Sequence, residues 1–405
     1  LSSDGSIVAI GAWQNDGASS AAGHVRVYEW NSGTSAWDQK GADIDGEAAL
    51  DYSGQSVSLS SDGSIVAIGA WQNDGASSAA GHVRVYEWNS GTSAWDQKGA
   101  DIDGEAVLDQ SGYSVSLSSD GSIVAIGAYH NDGTGTSAGH VRVYAWSGSA
   151  WVQRGVDIDG EAAGDRSGHS VSLSSDGSIV AIGANYNGGT GINAGHVRVY
   201  AWSGSAWVQR GADIDGEAAG DFSGHSVSLS SDGSIVAIGA WQNDGAGSGA
   251  GHVRVYEYSG SSWSQKGADI DGEAAGDTSG YSVSLSDDGN TVTIGAPYND
   301  GTGTNVGHVR VYETISPLSP QVGDWAVAEH KEETTEQLLA TYTYRVTQVT
   351  NADTLVLEFV SATDGYTDDS PCDLCDGTGS LGVCQGIAPH VIKRDLGGMF
   401  MVLMY

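Results

Sequence analysis

One phrase repeated along the chain constrains its fold more than any other feature. LSSDGSIVAIGA begins at Leu1, Leu59, Leu117, Leu173 and Leu229, and the variant LSDDGNTVTIGA begins at Leu285. Successive copies are 56 to 58 residues apart. Self-similarity with this period is typical of architectures in which one supersecondary unit is stacked many times.

Each copy divides into four short segments with strand character. In the second copy they cover 56–60, 64–70, 82–88 and 95–102. Ser-Asp-Gly between the first two predicts a tight hairpin, and apolar and polar residues alternate along the third. Four antiparallel strands per repeat indicate propeller blades. We therefore predict an all-β fold, a β-propeller of six or seven four-stranded blades with a small, mostly β, C-terminal appendage.

The repeat also sets the expected domain boundaries. The propeller is predicted over 1–313, a linker over 314–322, and a C-terminal region over 323–405 that holds a small SH3-like barrel and a cysteine-containing segment. The first copy lacks its first strand and the sixth lacks its fourth. Because a propeller ring must close, either the tail donates a strand or the native chain continues upstream to a seventh blade.

The charge balance limits the classes of partner. Asp and Glu outnumber Lys and Arg by 51 to 16, a formal net charge of −35. Nucleic acid and anionic membrane surfaces would be repelled, so neither is a predicted partner. No apolar stretch reaches the roughly 18 residues of a membrane helix, so no membrane insertion is predicted. Divalent cations and basic partners stay compatible, and carboxylates on turns also keep strand edges soluble.

The repeat resembles the FG-GAP repeat of integrin-α-type propellers, in the branch with a tryptophan-bearing outer strand. In the fourth copy the matching positions are Asp165, Ser167, Gly168, Val171, Gly183, Ala184, Gly195, Val197, Val199, Tyr200 and Trp207. The resemblance implies a recognition or adhesion propeller. The integrin-type calcium loop would fall where this chain has only Ser-Ser-Asp-Gly, so that site is not implied. WD40 repeats are the nearest alternative, with the same architecture but a shorter period.

The turn between copies reads Asp-Ile-Asp-Gly-Glu-x-x-x-Asp five times. Oxygen ligands at spacing 1, 3, 5 and 9 suit a backbone loop around Ca²⁺. The candidate calcium ligands are Asp43, Asp45, Glu47, Asp51, Asp101, Asp103, Glu105, Asp109, Asp157, Asp159, Glu161, Asp165, Asp213, Asp215, Glu217, Asp221, Asp269, Asp271, Glu273 and Asp277. The alternative is a blade-joining turn in which one Asp accepts backbone amides and another pairs with an arginine of the repeated Gly-His-Val-Arg-Val-Tyr strand.

The loops between the second and third strands vary most among the copies. They carry the candidate ligand-binding residues Trp13, Asp16, Trp71, Asp74, Tyr129, Asp132, Tyr186, Trp241, Asp244, Tyr298 and Asp300. Aromatic rings beside short polar groups suit carbohydrate or protein recognition. The alternative is that these rings pack between adjacent blades.

The three cysteines all lie in the tail. Cys372-Asp-Leu-Cys375-Asp-Gly-Thr-Gly resembles half of the CxxCxGxG zinc module of DnaJ-type chaperones. The resemblance makes Cys372, Cys375, Cys384 and His390 candidate zinc ligands, with one disulfide or free cysteines as alternatives.

No nucleophile, base and orienting group stand out in any copy, so no catalytic residue and no enzyme activity are predicted. The predicted function is non-catalytic recognition or adhesion, in which variable blade loops bind a protein or glycan at the cell surface or outside the cell. The alternative is a structural scaffold that assembles through its acidic surface. No cofactor is certain, calcium and zinc are candidates, and the oligomeric state stays open.

Overall fold

The computed structural model describes residues 1–301 and 303–313 in full, and the backbone of five strands in the C-terminal region. The described residues form β-strands joined by turns, without a helix. They confirm the predicted all-β, six-bladed propeller. The chain divides into two compact units, Leu1–Thr314 and Ile315–Tyr405.

Each blade is one antiparallel sheet whose strands follow one another along the chain. The first blade contains β1 Ile7–Ala12, β2 His24–Asn31, β3 Ala36–Gln39 and β4 Ile44–Asp45. The second contains β5 Ser56–Leu59, β6 Ile65–Ala70, β7 His82–Asn89, β8 Ala94–Gln97 and β9 Ile102–Asp103. The third contains β10 Ser114–Leu117, β11 Ile123–Ala128, β12 His140–Trp146, β13 Trp151–Gln153 and β14 Ile158–Asp159. The fourth contains β15 Ser170–Leu173, β16 Ile179–Ala184, β17 His196–Trp202, β18 Trp207–Gln209 and β19 Ile214–Asp215. The fifth contains β20 Ser226–Leu229, β21 Ile235–Ala240, β22 His252–Tyr258, β23 Trp263–Gln265 and β24 Ile270–Asp271, and the sixth contains β25 Ser282–Leu285, β26 Thr291–Ala296 and β27 His308–Glu313.

The short strands β5, β10, β15, β20 and β25 lie next to one another from blade to blade. They are therefore the innermost strands, which line the centre of a propeller. A backbone hydrogen bond links the turns that follow them, as from Ser61 N to the Ser119 carbonyl (2.8 Å). The innermost strand is the one absent from the first blade, as the sequence predicted.

The outermost strand differs from the prediction. The segment predicted as one strand over 95–102 is two, β8 and β9, both paired with β7. Gly99 separates them with a φ of 84°, a left-handed conformation that turns the chain away from the sheet.

The apolar core lies between blades. One cluster joins Val83 and Val85 of the second blade to Val115, Val124 and Ile126 of the third, and the other neighbouring pairs repeat it. Burying both faces of each sheet explains the continuous apolar run Ile-Val-Ala-Ile in the second strand of a blade. In the sixth blade, Val309 and Val311 are 66% and 64% exposed, because no further sheet among the described propeller residues covers them.

Two glycines make the close approach of neighbouring blades possible. Gly183 in β16 faces the backbone of Gly224, and a Cβ added at Gly183 would overlap the Gly224 carbonyl oxygen. Gly224 itself has a φ of 83°. These are the Gly of Gly-Ala and the Gly of Ser-Gly in the repeat, and the same contact recurs at Gly69 and Gly112.

In the second to fifth blades, a tryptophan on the outer strand hydrogen-bonds to the backbone of the previous blade. Trp207 Nε1 donates to the Arg154 carbonyl at 2.7 Å, and the Arg154 guanidinium lies 4.8 Å from the Trp202 ring centroid. Trp95, Trp151 and Trp263 repeat the hydrogen bond.

We expect Trp207→Phe to lower the free energy of unfolding by about 1 kcal/mol, the typical net contribution of one hydrogen bond. The indole N–H is lost while most of the ring contact is kept. Trp37→Phe is the matched control, because Trp37 holds the same repeat position in the first blade and is 44% exposed. Urea denaturation would measure both, and equal midpoints for the two variants would contradict the role of this hydrogen bond.

The described strands of the C-terminal region pair with one another in a five-stranded antiparallel sheet. They are β28 Trp325–Lys331, β29 Leu338–Asn351, β30 Thr354–Thr363, β31 His390–Lys393 and β32 Phe400–Leu403, in the order β30-β29-β28-β31-β32. The predicted SH3-like barrel and the domain boundaries stay predictions. Cys372, Cys375 and Cys384 lie outside the described residues, as does the side chain of His390, so the zinc site also stays a prediction.

Candidate functional site

The end of the propeller at which each innermost strand begins collects a group of aromatic and polar residues that differ between copies. We call this end the mouth. It is built from the turn Asp-x-Ser-Gly-x before the innermost strand and from the start of the loop after the second strand. Its variable side chains are Trp13, Tyr52, Gln55, Trp71, Gln110, Tyr113, Tyr129, His130, Arg166, His169, Asn185, Tyr186, Phe222, His225, Trp241, Thr278, Tyr281 and Tyr298.

Aromatic and imidazole rings form an unbroken series across the mouth. Tyr52 stacks on Trp71 with 5.7 Å between ring centroids, and Trp71 meets Tyr113 edge-on at 5.9 Å. Tyr113 then lies 5.1 Å from His169, and His169 lies 4.8 Å from His225. The series ends at Tyr281, 4.7 Å from His225. One continuous ring-lined surface thus runs from the first blade to the sixth.

The backbone at the mouth is held in an unusual conformation. The residue between the Asp and the Ser-Gly of each turn has a left-handed φ, from 55° at Tyr52 and Phe222 to 58° at Gln110 and Arg166, with Thr278 at 57°. A non-glycine residue there costs roughly 1 kcal/mol or more, and bulky or β-branched residues are rarest. Glycine would be favoured if the fold alone decided. Side chains kept in strained backbone are a reason to suspect function.

Several buried polar atoms at the mouth have no hydrogen-bond partner among the described residues. They are Gln110 Oε1, Asn185 Oδ1, Trp71 Nε1 and Trp241 Nε1. Asn185 is only 2% exposed. Buried polar groups are normally paired with protein, water or ligand. Two acceptors and two donors are therefore left without a protein partner at the mouth.

The variable side chains of the mouth are almost all uncharged at neutral pH. Burial, and secondarily His225, lowers the pKa of His169 to about 3, and burial lowers that of His225 to about 4. Burial and then Tyr113 raise the pKa of Tyr129 to about 12. The pKa of Tyr113 is raised by burial and then by Tyr281. Arg166 is the one cation among these variable residues.

The predicted loop residues divide into two groups. The aromatic ones lie at the mouth, where Trp71, Tyr129 and Trp241 contact rings from neighbouring blades, Trp13 is 37% exposed and Tyr298 is 48% exposed. Both sequence-based alternatives thus hold in part, because the rings pack between blades and still reach the surface. The predicted aspartates Asp16, Asp74, Asp132, Asp244 and Asp300 instead each accept the backbone N–H five residues later, which shapes the loop.

The sequence analysis missed the other half of the mouth. Tyr52, Tyr113, Arg166, His169, Phe222, His225 and Tyr281 were not among the predicted site residues. Their signal is variation, because they flank an invariant Ser-Gly and an invariant Asp in an otherwise repeated segment. That the turn before the innermost strand meets the second loop follows only from the three-dimensional arrangement.

A second group of polar side chains lies between blades. His82 is 1% exposed, and its Nδ1 lies 3.9 Å from carboxylate oxygens of both Glu47 and Asp101. Arg84 Nη2 donates to the Asp45 carbonyl at 2.6 Å, and its Nη1 lies 3.6 Å from Glu47. The predicted pairing of the repeated arginine with an acidic turn residue is therefore present, mostly with the neighbouring blade.

These acidic and histidine groups could hold a metal ion. The sets with ligand atoms close together are His24/Asp43/Asp45, Glu47/His82/Asp101, Glu105/His140/Asp157, Glu161/His196/Asp213 and Glu217/His252/Asp269. A histidine nitrogen with two carboxylates suits zinc-like ions better than calcium, which prefers oxygen. Burial, and then the neighbouring arginine, lowers the pKa of His82 and of His140 to about 4, so both are neutral at pH 7.

The predicted calcium set is not brought together as four carboxylates. The last Asp of each motif is buried and already bonded, as where Asp109 accepts from Ala106 N and from Asn131 Nδ2, both at 3.0 Å. In the first blade, Asp43 is engaged by Arg26 at 2.9 Å. Calcium binding stays a prediction. In the second to fifth blades, the carboxylates that lie together beside a histidine are the fifth position of one motif and the first position of the next.

The opposite end of the propeller carries an acidic cavity of about 500 Å³, lined by Ser175, Asp176, Ser231, Asp232, Asp287 and Asp288. Three of these carboxylates cap their own turns. Asp176, for example, accepts from Ser174 Oγ and Ser178 N at 2.8 and 2.9 Å. The same turn is repeated in every copy, so this end has the properties of scaffold.

No protein-family profile matches the chain, and no curated protein sequence matches it. Solved structures do show similarity. The periplasmic gluconolactonase of Pseudomonas aeruginosa is 14% identical with a TM-score of 0.47, over 84% of this chain and 91% of that one. A protein from Bacteroides uniformis assigned as a 6-phosphogluconolactonase is 15% identical with a TM-score of 0.47, over 88% and 100%. Sqt1 of Saccharomyces cerevisiae is 14% identical with a TM-score of 0.42, over 85% and 79%.

At these identities the likeness concerns the propeller fold. It nevertheless corrects one prediction. The sequence-based statement that the chain is not an enzyme is wrong as an exclusion, because structures similar to this propeller include a named gluconolactonase. The FG-GAP resemblance and the extracellular location stay predictions. None of the described residues forms a helix long and apolar enough to cross a membrane.

Proposed function

We propose that the protein is a recognition propeller that binds a saccharide at the mouth. The observation that carries this proposal is the continuous ring-lined surface from Tyr52 to Tyr281, on which residues vary while the blades beneath stay nearly identical. Aromatic rings present large, rigid contact faces, and neighbouring amides and indole N–H groups fix orientation. Sugars offer the complementary surface, with C–H faces for the rings and hydroxyl groups for the unpartnered polar atoms.

The scaffold supports this role because it separates stability from recognition. The interblade core, the glycine contacts and the Trp hydrogen bonds repeat from copy to copy, whereas the mouth residues do not. Recognition sites commonly lie on variable loops positioned by a rigid framework. A saccharide outside the cell would agree with the predicted location at the cell surface or beyond it.

We expect Tyr113→Ala to weaken saccharide binding about tenfold or more, since a central aromatic contact of a binding site is typically worth ~1–3 kcal/mol. The substitution removes the ring that joins Trp71, Tyr129 and His169. Gln55 holds the equivalent position in the preceding blade, so the backbone accepts a non-aromatic residue there. A glycan array probed with the full chain would identify the ligand, and calorimetry would give the two affinities.

Trp37→Ala is the matched control, because it removes an exposed ring from an outer strand far from the mouth in the repeat. Its affinity should equal that of the wild type. Unchanged binding by Tyr113→Ala, or equal loss in both variants, would move the ligand site away from the mouth.

A further inference from the structure

We propose that the mouth selects saccharides that carry a negatively charged group, and that Arg166 is the specificity-determining residue. This inference rests on the proposed saccharide binding at the same surface. It concerns which members of that ligand class are chosen.

Arg166 differs from every other cation in the described part of the chain. The others lie at two repeated positions, and each has a carboxylate, carbonyl or amide partner. No hydrogen bond or ion pair engages the Arg166 guanidinium within the described residues. In a chain with a net charge of −35, a cation with neither an ion pair nor a hydrogen bond among the described residues is exceptional.

The stacked position of Arg166 leaves its guanidinium N–H groups available to a ligand. Its guanidinium lies 3.8 Å from the ring centroid of Tyr186 and 6.0 Å from that of Tyr129. Stacking on a ring fixes the plane of the group and leaves its N–H edge free for an acceptor. The side chain is only partly exposed, so an anion bound there would be shielded from water and screened less by salt.

The backbone at Arg166 argues against a purely structural role. Its φ is 58°, and the other copies place Tyr52, Gln110, Phe222 and Thr278 at the same turn position with the same backbone. The turn therefore forms without an arginine. The charge is a feature of this one copy.

The histidine rings that interact with Arg166 are neutral at pH 7. Burial is the largest cause that lowers the pKa of His169 and of His130. Asp132 lies near His130 but its carboxylate accepts the Ser137 N–H at 2.7 Å. A planar guanidinium in such a setting matches the oxygens of a carboxylate or a sulfate.

The test measures how the full chain binds three oligosaccharides. They are a hexuronate oligomer, the same oligomer with its carboxyl groups reduced, and the reduced oligomer after sulfation. We expect wild type to prefer a charged oligomer over the reduced one by about tenfold, and Arg166→Gln to abolish that preference. The charged oligomer that binds more tightly identifies the selected group as carboxylate or sulfate. Arg210→Gln is the control. It removes a cation that directly follows the outer strand β18, and it should keep the preference for the charged oligomer.

Affinity for the charged oligomer should also stay constant between pH 8 and pH 6. An affinity that rises as pH falls through 6.5 would assign the selectivity to a histidine and overturn the role of Arg166. Equal binding of charged and reduced oligomers, with Tyr113→Ala still weakening both, would overturn this inference and leave the proposed function intact. If Tyr113→Ala binds every oligomer as tightly as the wild type, the proposed saccharide binding at the mouth is itself overturned.

Discussion

Gly183→Ala is expected to destabilise the propeller by about 4 kcal/mol or more, beyond the usual range for overpacking. The added Cβ would overlap the Gly224 carbonyl oxygen and approach its carbonyl carbon to 2.9 Å. Both atoms are backbone of the turn that leads into the next blade, and they cannot rotate away as a side chain could. Relief therefore requires the fourth and fifth blades to separate, which opens the apolar cluster between them. Thermal and urea denaturation would measure the loss.

Gly188→Ala is the control for this substitution. The nearest atom to a Cβ at Gly188 is a carbonyl oxygen at 4.0 Å, and other copies carry Asp at this position. Its melting temperature should stay within a few degrees of wild type. Should Gly183→Ala melt at the same temperature as Gly188→Ala, the blade contact would be looser than the geometry indicates.

Acidification from pH 7 to pH 4.5 is expected to lower the free energy of unfolding by several kcal/mol. The pKa values of His82, His140 and His225 are lowered from 6.5 to about 4, and that of His169 to about 3. Above pH 6.5 these rings are neutral in both folded and unfolded chains, so they favour neither. Below 6.5 the unfolded chain binds protons that the folded chain excludes, and stability falls until the folded pKa is reached. A histidine pKa that is about 2.5 lower in the folded chain than in the unfolded chain corresponds to a loss of at most roughly 3 kcal/mol in the free energy of unfolding.

A few carboxyl groups act in the opposite direction. Burial raises the pKa of Asp103, Asp159 and Glu105, so their protonation in the folded chain opposes the loss on acidification. The four histidine pKa values are lowered strongly, to about 4 or about 3, and these rings outnumber the three carboxyl groups, so acidification still lowers the stability overall. Urea midpoints measured between pH 8 and pH 4 would give it.

His169→Gln separates this mechanism from general acid unfolding. Gln55 occupies the equivalent position in another blade, so the variant should fold at pH 7. Its stability should fall less steeply between pH 6.5 and pH 4 than that of the wild type. Identical slopes, or a flat profile for the wild type, would show that the buried rings are not the groups that titrate.

The blades could be predicted from the sequence because repetition makes every local signal visible several times. Ser-Asp-Gly marked the hairpins, and Val83 and Val85 marked the alternating third strand. Gly183 and Gly224 stood out as repeated residues, but only the structure shows that they touch across a blade boundary. The break at Gly99 was hidden because both halves of the outer strand pair with the same neighbour.

The mouth could be predicted only by half. The loops with Trp71 and Trp241 were recognised because aromatic residues there differ conspicuously among copies. Tyr113, Arg166 and His169 escaped because they lie 16 to 42 residues along the chain from the loop aromatics that they contact, next to residues that never vary. Likewise, spacing suggested that Asp109 would join a cation site, whereas burial beside Asn131 commits it to a structural hydrogen bond.

The left-handed turn residues have a consequence for engineering. Tyr52, Gln110, Arg166, Phe222 and Thr278 share one backbone conformation although their side chains have nothing in common. The propeller thus divides into a constant framework and a paratope, in the manner of an antibody domain. A library randomised at these turn positions would change ligand preference on an unaltered set of strands. Its glycine members would be the most stable and the least able to bind.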